Sequence, residues 1–139
     1  METGVLTNDK IIEYIVNNVR ATHNHIALLL KELYSTRYCT CIYNNNAQWY
    51  EFNGSYWQLD YTIKHHLNLL LSTDVVNYVY EARTLITNRL QNPISAERVF
   101  EESLLKELHK LTEYLFDNTF KSGVLKECEA LFLRDINRT

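Results

Sequence analysis

Between Gln48 and Trp57 the chain reads Gln-Trp-Tyr-Glu-Phe-Asn-Gly-Ser-Tyr-Trp, two apolar-alternating runs around an Asn-Gly pair. Asn-Gly accepts the positive φ angles that a two-residue type I′ turn requires, and that turn matches the natural twist of paired strands. The segment therefore predicts a β-hairpin with Asn53-Gly54 at its tip. Both tryptophans of the chain, Trp49 and Trp57, fall inside it, so the sheet it belongs to is aromatic. A small sheet alone is marginal in water, and one of its faces must pack on other elements.

The flanking sequence supplies them. Thr7 or Asn8 caps a first helix carrying Ile12, Ile15, Val16 and Val19 at helical period. Thr22 caps a second with Ile26, Leu29, Leu30 and Leu33, and the link is short enough that the two could form one kinked helix. Tyr38–Tyr43 reads as a first strand, ended by Asn44-Asn45-Asn46, which tolerate left-handed backbone angles. Ala47–Phe52 and Ser55–Leu59 complete an antiparallel meander. Asp60 offers a cap for a helix with Ile63, Leu67, Leu70 and Leu71. Ser72-Thr73-Asp74 interrupts it before a helix striped with Val75, Val79, Ala82, Ile86 and Leu90. Asn92-Pro93 stops that helix, because the residue before proline avoids helical angles. Ser95 starts a long helix buried along Phe100, Leu104, Leu108, Leu111 and Leu115, with Glu102 and Lys106 as an i,i+4 pair. After Asn118-Thr119, a last helix turns Val124, Cys128, Leu131 and Phe132 inward, with Phe120 folding back on it. The fold class is α+β, mostly helical, with helices packed around a three-stranded antiparallel meander near residues 38–59. With 139 residues and only three glycines and one proline, the expectation is a single domain over 1–139.

Composition narrows the function. Apolar residues make up 46% and charged residues 22%, the profile of a globular chain rather than a disordered one. No apolar run approaches the ~20 residues of a membrane span. The first residues lack the basic and apolar regions of a signal peptide, so an intracellular protein is expected. A net charge of −3 excludes a phosphate-binding surface spread over the whole molecule. Cys39, Cys41 and Cys128 read as reduced core thiols.

The resemblance to a known family rests on three blocks. Leu28-Leu29-Leu30-Lys31-Glu32-Leu33-Tyr34 with Arg37-Tyr38 forms the first. Trp49–Trp57, followed by Asp60 and its helix, is the second. Phe120-Lys121-Ser122-Gly123-Val124-Leu125-Lys126-Glu127-Cys128, continuing to Leu131-Phe132, is the third. In order and approximate spacing, from about Ala21 to Phe132, they resemble the segment before the superfamily 3 helicase core in poxvirus-type primase–helicases of large DNA viruses, plasmids and phages. The resemblance implies a non-catalytic accessory or collar domain of a replicative primase–helicase. It would link primase to motor, support assembly of a homo-oligomeric ring and guide DNA, at a viral or mobile-element replication site in host cytoplasm or nucleus. Its partners would be the helicase and primase domains of the same polypeptide and single-stranded DNA, with no membrane. Two departures stand out. The chain stops at Thr139 before the stretch leading into the helicase, which suggests a fragment, and the basic residues after the hairpin are thinned to Lys64-His65-His66. The alternative is a stand-alone protein-interaction adaptor.

The residues themselves offer no catalytic site. Gly4, Gly54 and Gly123 build no phosphate-binding loop for ATP, and the predicted strands carry only Glu51, too few carboxylates for a two-metal polymerase centre. His23-x-His25, His65-His66 and His109 lack the i,i+4 spacing of a zinc helix and read as solvent-facing or capping residues, with no metal and no cofactor expected. A small hydrolase built on a His/Glu site is the remaining enzyme class. The candidate nucleic-acid-binding residues are Trp49 and Trp57, whose rings could stack bases, with Lys64, Arg83 and Arg89 to meet phosphates. The competing reading is packing, since a strand aromatic usually buries its area against a helix or cross-strand neighbour, and at least one tryptophan is expected in the core. The charged face bearing Glu97, Glu101, Glu102, Lys106, Lys110 and Glu113 reads as solvated, with a ring-neighbour contact as the functional alternative.

Overall fold

The computed structural model describes residues 7–20, 22–91 and 98–135. Among them the chain forms α1 (Asn8–Asn17), α2 (His23–Tyr34), β1 (Tyr38–Tyr43), β2 (Asn46–Phe52), β3 (Trp57–Leu59), α3 (Ile63–Ser72), α4 (Asp74–Leu90), α5 (Arg98–Tyr114) and α6 (Asn118–Leu131). The mostly helical α+β class holds. α1 and α2 are separate helices. Thr7 caps α1 by accepting from the Lys10 N–H. Thr22 caps α2 in a reciprocal box in which its hydroxyl accepts from the His25 N–H and the His25 ring accepts from the Thr22 N–H. His25 is thus a capping residue. The expected start of the long helix at Ser95 and the Asn92-Pro93 stop lie outside the described residues.

The sheet is a meander in the order β1-β2-β3, all antiparallel. Its turns depart from expectation. The two-residue turn is at Asn44-Asn45, where Tyr43 pairs with Asn46 and the asparagines take φ of 51° and 66°. Asn53-Gly54 is instead part of a four-residue connection, because Phe52 pairs with Trp57. There only Gly54 has a positive φ, 101°, while the Asn53 side chain accepts from the N–H groups of Ser55 and Tyr56, both at 3.0 Å. An asparagine that closes this local ring has no need of the left-handed region. β3 accordingly begins at Trp57 rather than Ser55.

Asp60 does not cap α3. Its carboxylate accepts from the Thr62 N–H at 2.8 Å and hydroxyl at 2.6 Å, closing a turn just before the helix. The core runs through Ile11 and Ile15 of α1, Ile26, Leu29 and Leu30 of α2, Leu67 and Leu71 of α3, Val79 and Ile86 of α4, Leu108 and Leu111 of α5, and Val124 and Cys128 of α6. α2 packs on α6 and α4 on both α1 and α5. At the α2–α6 crossing a methyl group at Gly123 would collide with the His23 ring, so glycine there permits the close approach. Phe100 is 62% exposed, contrary to its expected burial, because the buried stripe of α5 begins at Glu101 and Leu104. Glu102 pairs with Arg98 at 3.5 Å rather than with Lys106.

Candidate functional site

Directly opposed residues of an antiparallel pair share a face. The register therefore divides the sheet cleanly. Tyr38 with Glu51, Thr40 with Trp49 and Ile42 with Ala47 form one face; Cys39 with Tyr50, Cys41 with Gln48, Tyr43 with Asn46 and Phe52 with Trp57 form the other. The first face is the inner one. Trp49 is 6% exposed and its ring lies 5.3 Å from that of Phe132. Tyr38 packs against Tyr34 and His66, and the Thr40 hydroxyl donates to the Glu129 carbonyl at 2.7 Å. The indole Nε1 of Trp49 is buried and has no hydrogen-bond partner among the described residues.

The second face is the outer one, closed over Cys39, which is 1% exposed, and more open towards its ends. Tyr43 and Phe52 are exposed, Tyr50 and Trp57 half-buried, and the Phe52 and Trp57 rings lie 5.2 Å apart. After α6 the chain runs parallel to β1: the Thr40 N–H donates to the Phe132 carbonyl and the Arg134 N–H to the Thr40 carbonyl, each at 3.0 Å. The Cys41 thiol donates to the Arg134 carbonyl at 3.1 Å. From there the Arg134 guanidinium reaches over the Trp57 ring, 5.0 Å from its centroid, in cation–π geometry.

The sequence-predicted site residues are dispersed. Trp49 is a core residue and presents no ring to solvent, a correction to its candidacy as a stacking platform. Trp57 is on the outer face. The Lys64 ammonium is 3.3 Å from Glu129 of α6. Arg83 donates to the Thr112 hydroxyl at 3.5 Å and lies over the Tyr80 ring. Arg89 meets the buried Glu101 carboxylate at 3.4 Å. None of these three cations accompanies Trp57; Arg134 does, and sequence reasoning missed it because its position depends on a long-range parallel bridge.

A polar notch of about 250 Å³ lies between the sheet and α3, lined among others by Arg37, Tyr38, Glu51, Asp60, His65 and His66. Its carboxylates are both engaged. Arg37 Nε holds Glu51 at 3.0 Å, and hydrogen bonds from Thr62 hold the Asp60 carboxyl below the usual carboxylate range. An acceptor tied up in this way is a poor general base, and the residues lining the notch include no serine or cysteine nucleophile. Burial pushes the Cys39 and Cys128 thiols up to about 12, so both are held as neutral thiols. Among the described residues no group of three or more His, Cys, Asp and Glu could hold a metal ion, and no helix is long and apolar enough to cross a membrane.

Helices around a small antiparallel aromatic sheet define a mostly helical α+β domain. The family described as "D5 N terminal like" matches residues 27–139, and the chain belongs to that family. It is also similar to a protein of Acanthamoeba polyphaga mimivirus provisionally named helicase L207/L206, with 32% identity over 137 residues. That alignment takes in 92% of this chain and 14% of the mimivirus protein.

Proposed function

We propose that this chain acts as a non-catalytic accessory domain of a replicative primase–helicase, joining primase to motor, supporting assembly of a homo-oligomeric ring and guiding DNA at its mouth. The observation that carries this reading is the family match over residues 27–139, together with a helicase-named relative of which the chain spans only 14%. It is supported by the sequence, which holds no phosphate-binding loop, and by a described structure whose polar notch has its carboxylates engaged. Its partners on this reading are the primase and motor of the same polypeptide, at an intracellular replication site. Trp57, with Lys64, Arg83 and Arg89, remains a proposed contributor to DNA contact.

The test uses the mimivirus protein with and without the region aligned to this chain. Loss of ring assembly and unwinding on deletion, with ATP binding retained, is the expected result. A deleted protein that assembles and unwinds as before refutes the role. A stand-alone adaptor is favoured by one observation, a groove of about 820 Å³ between α1 and α4 whose lining includes the apolar Ile12, Val16 and Leu85 alongside Glu13, Glu81 and Arg89. Reading the coding frame past codon 139 separates the two: a downstream Walker lysine supports the accessory domain, a stop codon the adaptor.

A further inference from the structure

We infer that the outer face of the sheet binds single-stranded nucleic acid, with Phe52 and Trp57 as base-stacking rings and Arg134 as the cation that closes the stack. The inference rests on the accessory-domain reading for its biological setting and deepens it by naming the ligand and the residues.

Three observations lead to it. Away from the buried Cys39 the face is open and aromatic: Tyr43 at its turn is 63% exposed, Phe52 at the other end is 39% exposed, and Phe52 and Trp57 sit ring beside ring at 5.2 Å. Exposed aromatic groups gathered on one sheet face are uncommon unless something lies on them. Second, the face is free of carboxylates along its strands. The only acidic residue in the three strands, Glu51, points to the inner side, where Arg37 holds it. In a chain with 17 acidic residues against 14 basic ones, that is the condition a phosphodiester needs for approach. Third, the charged side chain seen over the Trp57 ring is Arg134, whose guanidinium plane stacks on aromatic groups and on bases alike and whose N–H groups are suited to phosphate.

Further along the same face, opposite Tyr43 and Cys41, the polar groups are the amides of Asn46 and Gln48. Amides donate and accept, so they can meet base edges without selecting for charge. A partner helix would be better served by an aliphatic surface. Aromatic rings, amides and a guanidinium on a sheet face whose strands present no carboxylate match the stacking platforms that hold single strands with little sequence preference.

The experiment is anisotropy of a fluorescent oligothymidylate titrated with the full chain over a range of salt. Binding should weaken linearly on a log–log plot, by about 0.7 in slope per phosphate contact, and should quench the emission of Trp57. Trp57→Ala should weaken binding about five- to a hundredfold, with Trp57→Phe restoring most of it. Arg134→Ala should lower the slope by about 0.7, whereas Lys106→Ala on α5, an equal change of net charge, should leave it alone. Phe52→Ser, at the exposed end of β2, should weaken binding likewise and gives a second reading should Trp57→Ala fail to fold. Absence of binding at about 50 mM salt overturns the inference, as does binding that both Trp57→Ala and Arg134→Ala leave intact. Loss of self-association rather than of oligonucleotide binding in those variants assigns the face to a protein partner and also overturns it. None of these failures touches the deletion result that judges the accessory role.

Discussion

Replacing Trp49 by alanine tests the division of the sheet into a structural and an available face. The ring is 6% exposed and wedged against Phe132, on a strand that packs against α3. Truncating a buried tryptophan removes its transfer energy and leaves a cavity, at a cost of about 3–5 kcal/mol. Domains of this size have about 5–15 kcal/mol in total, so the variant should fold but marginally. With a urea dependence of about 2 kcal/mol per molar, the midpoint of unfolding should fall by roughly 1.5–2.5 M. Trp49→Phe should behave differently. It keeps one ring and deletes an indole N–H that is buried without a partner, a donor whose burial costs about 1–3 kcal/mol in the native protein. That relief offsets the packing given up with the fused ring, and the net change should stay within about 1 kcal/mol. Trp57→Ala, on the open face, should cost only about 1 kcal/mol. Urea unfolding followed by far-ultraviolet circular dichroism reads all three. A loss below about 1 kcal/mol for Trp49→Ala refutes its core assignment. A Trp49→Phe variant as damaged as Trp49→Ala refutes the unpaired N–H.

Other consequences can be measured on the same protein. Of the three thiols, Cys41 is the least buried and should react first with a thiol reagent, while Cys39 and Cys128 should react only on unfolding. Because burial raises the latter two from 9.0 to about 12, the stability this confers is complete below about pH 9 and is lost as the pH climbs towards 12; thermal melts across that alkaline range should show it. Arg89→Ala strands the buried Glu101 carboxylate and should cost about 1–2 kcal/mol, less than a fully buried pair because Arg89 is half exposed; the double variant Arg89→Met/Glu101→Leu should recover most of it in a double-mutant cycle. Asn45→Val should cost about 1–2 kcal/mol at φ 66°, and Asn45→Gly should be neutral or stabilising by urea unfolding.

Much of the fold was legible because it is written in local patterns. Tyr38–Tyr43 forms a strand with the bounds its β-prone run implies, and the apolar stripes of α2, α4 and α6 face inward as their spacing requires. Legibility failed where two local solutions compete. Asn53-Gly54 carries the stronger turn signal, yet the Asn53 side chain closes its own hydrogen-bonded ring and the tight turn goes to Asn44-Asn45. Asp60 reads as a helix cap and satisfies a turn instead. Phe100 fits the period of α5 but lies beyond the reach of the core. The site was harder still. On β2, Trp49 and Ala47 alternate with Tyr50 and Phe52, so both faces look apolar and the period of two cannot say which is buried. Lys64 was attractive because it follows the hairpin in sequence, but helix α3 turns it towards Glu129.

The pairing of Phe132 with Trp49 and of Arg134 with Trp57 explains how one short segment serves both faces. Residues two apart in an extended chain point the same way, which would put Phe132 and Arg134 on one side. Phe132, however, still has the near-zero ψ of 3° at the end of α6, and the chain becomes strand-like only at Leu133, where it bridges to Thr40. That single non-extended residue shifts the alternation. The aromatic ring packs against Trp49 while the guanidinium lies over the Trp57 ring. The end of α6 therefore sets both the packing of the inner tryptophan and the electrostatics of the outer one.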